Sequence, residues 1–192
     1  MNFMGMQYLE PIQNYYNGGL AGFGSGPGPN YGVVWGNDSL SLPNGPGSNV
    51  NNEPFGWTSS MIFLSGPGDI MNVAGGFTTG FSFFYSAPFY SGSVDVFDGL
   101  NGTGNVLATL SLPVNGYYCG GSNLPYSCWT EVGVTFAGTA LSANFTGTAN
   151  YIAFSGVTIG SNKVGTPEPS SLLLLGSGLL GAVGFVRRKI NL

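Results

Sequence analysis

Residues 94–112 read VDVFDGLNGTGNVLATLSL, and this stretch indicates the fold more clearly than any other. Two valines flank Asp95, and apolar and polar residues alternate again over residues 105–113, as in strands with one buried face. The joint between them, residues 98–104, is rich in glycine and asparagine, which tolerate the positive φ angles of tight turns. The pattern therefore predicts a β-hairpin. Its packed face would carry Val94, Val96, Val106, Ala108, Leu110 and Leu112.

Other short runs rich in Val, Ile, Phe, Tyr and Thr recur along the chain and are separated by Gly, Pro and Asn. Seven to nine such strands without a convincing soluble helix predict an all-β fold, a two-layer antiparallel β-sandwich that is jelly-roll-like. The further strands are predicted at residues 31–35, 60–65, 71–74, 80–85, 130–136 and 151–159.

The composition excludes several classes of function. Only 6% of the 192 residues are charged, and there is no histidine, so a Ser-His-Asp triad or a zinc site of the usual His/Cys kind cannot form. Three of the four cations lie in the last six residues, which leaves one lysine against eight acids in the rest of the chain. Such a body has no basic patch, and we expect no nucleic-acid partner.

The C-terminal tail has the composition of a membrane helix. Residues 170–186 carry no charge, and Arg187, Arg188 and Lys189 follow at once. A helix of this length spans about 26 Å, slightly less than the roughly 30 Å of a bilayer core. The competing interpretation is a buried C-terminal core helix, although clustered cations and the lack of a polar stripe disfavour it. Since basic ends stay cytoplasmic, residues 1–169 are predicted to lie outside the inner membrane.

The tripeptide Pro167-Glu168-Pro169, the helix after it and the terminal Arg-Arg-Lys resemble the PEP-CTERM sorting signal of Gram-negative bacteria. The resemblance implies an exosortase-type processing enzyme as a partner, and delivery to the outer surface or to the exopolysaccharide matrix. The strands of the body resemble those of PEP-CTERM proteins more loosely, which implies a jelly-roll fold without an assigned activity.

Four segments are predicted along the chain. An exported β-sandwich domain covers 1–161, a linker with the Pro-Glu-Pro motif 162–169, a single transmembrane helix 170–186, and a basic cytoplasmic tail 187–192. Residues 1–16 lack the cation and apolar run of a secretory signal, so we expect the natural start to lie further upstream.

Cys119 and Cys128 are the only cysteines, and in an exported domain such a pair predicts a disulfide. Closing this ten-residue loop would contribute about 2.7 kcal/mol in the chain-entropy model. Reduced, buried thiols are the alternative. Redox catalysis is disfavoured because there is no Cys-x-x-Cys motif and no neighbouring cation.

The body has seven carboxylates, and a glycosidase would need two of them across a cleft. Calcium suits the oxygen-bearing side chains of the loops better. One predicted ligand set is Glu10, Asn17, Asn37 and Asp38. The competing interpretation is that these are ordinary solvated loop residues.

Trp35 lies in a Val-Val context and is interpreted as a core residue. Trp57 and Trp129 follow turn residues and, with Tyr117 and Tyr118, could stack sugar rings. The leading hypothesis is a non-enzymatic exported protein with a structural or adhesive role. The alternatives are a carbohydrate-binding module that contacts extracellular polysaccharide and, after it, a glycoside hydrolase.

Overall fold

The computed structural model describes residues 1–63, 69–145 and 152–165. The described residues contain no α-helix, and the all-β prediction is confirmed. The eight strands are β1 Val33–Trp35, β2 Ser39–Pro43, β3 Ser59–Phe63, β4 Ile70–Ser86, β5 Gly92–Phe97, β6 Val106–Leu112, β7 Thr130–Asn144 and β8 Ala153–Ile159. Three short 3-10 turns lie at Pro54–Gly56, Leu100–Gly102 and Cys119–Gly121.

All the strands pair antiparallel in the order β2-β3-β8-β4-β7-β5-β6, with β1 beside β4. The long strands β4 and β7 each take part in two sets of pairings. The first half of β4 pairs with β1 and with the end of β7, which also pairs with β5. The second half of β4 pairs with β8 and with the start of β7. The strands therefore fall into two groups that share β4 and β7.

A bend in each shared strand separates the two groups. The β4–β7 register shifts on both sides of Phe77, and positive φ angles occur at Gly76 and Thr79 in β4 and at Gly138 in β7. Buried side chains of both groups then meet in one core. The ring of Phe145 lies 5.4 Å from that of Trp35, from the first group, and 5.7 Å from that of Phe63, from the second. This is the packing of a β-sandwich.

The predicted hairpin is confirmed, because β5 and β6 pair from Gly92↔Leu112 to Phe97↔Val106. Its inward face differs from the prediction at one end. Val106 is 52% exposed, whereas Leu107 packs against the core. The register shift between Val96 and Phe97 inserts Leu107 as an extra residue, and a bulge of this kind reverses which side chains face inward.

The described residues contain no helix of the length and apolarity needed to cross a bilayer. The predicted transmembrane helix, residues 170–186, lies outside the described residues. The chain still contacts the sandwich beyond residue 162, where the linker is predicted to begin. Val164 is buried, and its N–H donates to Glu131 at 2.8 Å.

Candidate functional site

The last described residues include Lys163 and Val164, and both are held against the sandwich. Lys163 Nζ lies 3.9 Å from one carboxylate oxygen of Glu131, and the other oxygen accepts the N–H of Val164. The described chain thus leads from the body directly to the predicted sorting residues. Those residues, Pro167, Glu168, Pro169, Arg187, Arg188 and Lys189, lie outside the part that the structure describes.

The predicted disulfide is present between Cys119 and Cys128, with Cα atoms 5.1 Å apart. Two further hydrogen bonds hold the loop that it closes. The N–H of Cys119 donates to Ser127 Oγ at 2.9 Å, and Asn52 Nδ2 donates to the carbonyl of Cys119 at 2.9 Å. The loop is therefore fixed both internally and to the segment before β3.

Asn115 ties the neighbouring loops together. Its Nδ2 lies 3.0 Å from the carbonyl oxygens of Tyr85 and Cys128, and its Oδ1 accepts the N–H of Ala87 at 2.8 Å. One amide side chain thereby joins the end of β4, the segment after β6 and the disulfide loop.

These anchored loops present four aromatic side chains, each more than half exposed, which we call the aromatic patch: Phe89, Tyr90, Tyr117 and Tyr118. The Phe89 and Tyr117 rings lie 5.9 Å apart at 32°, and the Tyr117 and Tyr118 rings 4.9 Å apart at 89°. No charged residue occurs in residues 86–92 or 113–129. The patch is thus an uncharged aromatic surface on a cross-linked support. The sequence predicted Tyr117 and Tyr118 as part of an aromatic surface but missed Phe89 and Tyr90.

Trp57 lies elsewhere, beside an open cavity of about 350 Å³ that is also lined by Tyr15, Tyr31 and Gly165. It is half-buried, and its ring packs edge-on against Phe55 at 5.1 Å. Trp57 therefore borders a cavity lined by aromatic side chains, close to Gly165, the last described residue.

Tyr16 also lines this cavity, and its ring stacks on the ring of Tyr31 with 5.9 Å between the centroids. The Tyr16 hydroxyl accepts the N–H of Phe3 at 2.7 Å. Burial raises the pKa of Tyr16 far above its ordinary value, so the hydroxyl stays neutral.

Trp129 has a packing role. Its Nε1 donates to the carbonyl of Asn51 at 2.9 Å, and its ring lies on a small second core that includes Val50 and Tyr126. Trp35 is 2% exposed and belongs to the main core, as predicted. Of the three tryptophans, Trp57 alone lines the cavity.

The predicted calcium ligands have other partners. Glu10 is fully buried, and its carboxylate accepts the N–H groups of Gln7 at 2.7 Å, Phe23 at 2.8 Å and Ser25 at 3.0 Å. Burial alone would raise the pKa of Glu10, but these hydrogen bonds together outweigh it and hold the pKa below its ordinary value. A carboxylate whose oxygens accept three N–H donors has little capacity left for a cation, and calcium at this predicted ligand set stays a prediction.

The other members of that set are dispersed among local contacts. Asn37 Oδ1 accepts from Gln13 Nε2, Asn17 forms a bridge with Asn30, and the N–H of Asp38 donates to Asp69. Across the described ranges, no three His, Cys, Asp or Glu side chains gather around one point.

Most of the remaining carboxylates also have structural partners. Asp69 accepts four hydrogen bonds from the N–H groups of residues 38, 39 and 70 and the hydroxyl of Ser39. Asp95 accepts from Thr109, and Asp98 accepts from Asn105. Glu53 differs, since it is 5% exposed and accepts the side-chain amide of Asn44. Burial raises the pKa of Glu53.

The comparison with protein families decides what the tail is. Residues 166–189 match the family model of the PEP-CTERM protein-sorting motif. The chain carries a PEP-CTERM sorting signal. The resemblance inferred from Pro167-Glu168-Pro169 and the terminal basic cluster is confirmed, and a PEP-CTERM signal indicates an exported protein. The match covers the tail alone and assigns no activity to the body. A search of curated proteins finds no match to the chain.

Solved structures to which this chain shows a likeness include one glycoside hydrolase and two carbohydrate-binding modules. One is a Bacillus subtilis glycoside hydrolase family 43 arabinoxylan arabinofuranohydrolase in complex with cellotetraose, 20% identical with a TM-score of 0.42 over 67% of this chain and 26% of that one. A carbohydrate-binding module of Cellvibrio mixtus lichenase 5A, in complex with cellotriose, is 14% identical with a TM-score of 0.42, over 65% and 87% of the two chains. A β-1,3-glucan-binding module from Bacillus halodurans is 11% identical, with the same TM-score and coverage. No functional assignment rests on these likenesses.

Proposed function

We propose that this chain is an exported surface or matrix protein with a structural or adhesive role, delivered by its PEP-CTERM signal. The proposal rests on the short distance in sequence between the sorting motif and the last residue that is held on the folded body. The sorting motif begins at residue 166, and the chain is held on a disulfide-linked sandwich up to Val164. A rigid exported body with a sorting tail suits a component that is fixed at the cell surface or in exopolysaccharide.

The roles of the carboxylates support a non-enzymatic body. Glu10 and Asp69 accept backbone N–H groups, and Glu131 accepts the N–H of Val164 and pairs with Lys163. Such groups contribute to folding through charge-assisted hydrogen bonds, and this use competes with proton transfer to a substrate.

The finer topology is part of the same proposal. Residues 170–186 form a transient inner-membrane helix, with the N-terminal body outside and the basic tail in the cytoplasm. An exosortase-type enzyme then processes the tail. The two strand groups of the body are arranged as a jelly roll.

Localisation on intact cells tests the proposed role. Full-length protein and a variant lacking residues 166–192 are expressed in a host that has an exosortase and makes exopolysaccharide, each behind the same secretory signal. The full-length body should sediment with washed cells and matrix and should react with antibody added outside, whereas the truncated body should stay in the periplasm or medium. Equal distributions of the two would contradict the proposal.

The aromatic patch favours a second candidate function, the binding of a neutral polysaccharide. Aromatic faces pack well against the apolar faces of sugar rings, and Asn115 and the disulfide hold the patch loops in place before any ligand arrives. The absence of charge from residues 86–92 and 113–129 favours a neutral polymer over an anionic one.

Affinity electrophoresis in gels containing neutral glucans tests this candidate. Tyr117→Ala should weaken retardation about tenfold, which corresponds to about 1.4 kcal/mol. Phe23→Ala, which removes a ring that is 59% exposed outside the patch, is the matched control and should bind like wild type. Equal retardation of both variants would remove the patch as a glycan site.

A further inference from the structure

The outer edges of the strands β1 and β2 are covered by the N-terminal segment. The N–H groups of Leu9 and Ile12 donate to carbonyls of β2 at 2.8 Å and 2.9 Å. On β1, the N–H of Trp35 donates to the carbonyl of Gln13 at 3.0 Å. Neither strand therefore offers a free backbone edge to another chain.

The first part of β7 is protected in a different way. Residues 130–136 pair with β4, and they carry Glu131, which forms an ion pair with Lys163. Charged side chains on an edge strand hinder its pairing with a further strand.

The strand β6 has none of these protections. It ends the strand order and pairs with β5 alone among the described residues. No loop in the described ranges donates a backbone hydrogen bond to residues 106–112, which contain no proline. Its pairing with β5 is regular from Leu112 back to Ala108, and the bulge at Leu107 is confined to the start of the strand.

This open edge is a row of backbone groups that another strand can pair with. In an antiparallel pair every second residue directs its N–H and C=O away from its partner strand. Thr109 and Ser111, in the regular part of β6, are both exposed. Residues 99–130 carry no charged side chain, so the edge and the segments at both of its ends are neutral. The chemistry of this edge therefore fits an uncharged β-strand.

The two ends of the edge complement each other. Leu100 and Val106, at the start, are 39% and 52% exposed, and Val114, just beyond the end, is 48% exposed. When two β6 strands pair antiparallel, the start of each one meets the end of the other. Val114 of each copy then lies toward Leu100 and Val106 of the other copy. A surface that covers its own apolar ends about a two-fold axis favours a second copy over an unrelated strand.

We propose that β6 is a self-association edge, on which a second copy of this chain pairs antiparallel through its own β6. The two-fold axis passes through Thr109, the midpoint of the strand. The acid beside this point is Asp95 on β5, which accepts from Thr109 at 2.6 Å. The two Asp95 side chains of a dimer would be separated by three strand spacings, about 14 Å, which exceeds the screening length of about 8 Å. The pairing thus joins two sheets without bringing these charges close together.

Disulfide cross-linking of the full-length exported protein tests the geometry. Residues opposite each other in an antiparallel pair have Cα atoms about 4.5–5.5 Å apart, within the range of a disulfide. Thr109→Cys should therefore give a covalent dimer on a non-reducing gel after mild oxidation. Thr135→Cys, at an exposed threonine of β7, is the matched control and should stay monomeric. No dimer with Thr109→Cys, or equal dimer with both variants, would contradict the proposal.

Sedimentation of the full-length protein in mild detergent, over a series of concentrations, measures the association itself. Thr109→Lys places two like charges directly opposite each other and should raise the dimer dissociation constant about fivefold. Thr135→Lys is the control and should associate like wild type. The C-terminal tail is identical in all three proteins, so a difference between them reports on β6. A wild type that stays monomeric, or equal association of wild type and Thr109→Lys, would overturn the proposal.

Discussion

The Glu10 carboxylate holds separate parts of the N-terminal segment together, and Glu10→Gln should destabilise the body substantially. Glu10 Oε1 accepts the N–H groups of Phe23 and Ser25, and Oε2 accepts that of Gln7. Glutamine can keep its oxygen on the first two donors, but its NH₂ group then faces the N–H of Gln7. One charge-assisted bond is lost, a donor is left unpaired, and the other two bonds weaken. At about 1.5–3 kcal/mol for a hydrogen bond to a charged group, we expect a total loss of about 3 kcal/mol.

Thermal and urea unfolding measure this loss. For a chain of this size, 3 kcal/mol corresponds to a fall of roughly 6–12 °C in melting temperature. Asp95→Asn is the matched control, because that carboxylate accepts one bond from Thr109 at an exposed position and should cost about 1 kcal/mol or less. If Glu10→Gln is no more destabilised than Asp95→Asn, the structural role assigned to the Glu10 carboxylate is refuted.

The pH dependence of stability gives an independent check on the same carboxylate. The pKa of Glu10 is lower in the folded protein than its ordinary value of 4.5. The stability contributed by the charged form is therefore complete above the unfolded pKa and is lost as the pH falls through the folded pKa. Wild type should lose stability below about pH 4.5 more steeply than Glu10→Gln. Parallel profiles would contradict a depressed pKa at this residue.

Two other features of the sandwich make testable predictions. Mass spectrometry of the intact protein should show a gain of two hydrogen atoms on reduction of the Cys119–Cys128 bond, and alkylation of both thiols without prior reduction would contradict this bond. Cys119→Ser with Cys128→Ser should lower stability by about 2.7 kcal/mol. Gly156→Ala should lower the melting temperature by several degrees, because φ is +66° and an added Cβ would lie 2.6 Å from the Trp57 ring. Gly165→Ala, where a Cβ meets open space, should be neutral.

The sequence predicted the hairpin because its two strands are adjacent and their alternation is local. It did not predict β2, which reads SLSLP. Ser39 and Ser41 face inward there, and their hydroxyls are satisfied by Asp69 and by the carbonyl of Phe3. Serines therefore occupy the inward positions that apolar residues usually take. Their partners Asp69 and Phe3 are 30 and 38 residues away in the sequence, so the local pattern does not indicate these contacts.

The sequence predicts separate strands at 71–74 and 80–85, with Gly75 and Gly76 between them. The structure has one strand, β4, in which these glycines lie between register shifts at a bend. A single sequence does not distinguish a bulge from a turn, because both favour glycine.

The candidate sites likewise divide into those that a local sequence pattern predicts and those that depend on tertiary contacts. The disulfide and the sorting signal are local patterns and were predictable. The aromatic patch brings together Phe89 and Tyr117, from segments before β5 and after β6, through Asn115. The pairing of Glu53 with Asn44 and the burial of that carboxylate depend equally on the tertiary fold.

Processing of the tail tests most directly whether the PEP-CTERM signal is read. Wild type and Glu168→Ala are compared by intact mass and by membrane fractionation in a host with an exosortase and in the same host without it. The substitution leaves the apolar run 170–186 and its basic stop unchanged, so membrane insertion should survive. Wild type should lose its C-terminal segment only where the enzyme is present, and Glu168→Ala should keep it in both hosts. Equal processing in every case would show that the tail is not recognised through this motif.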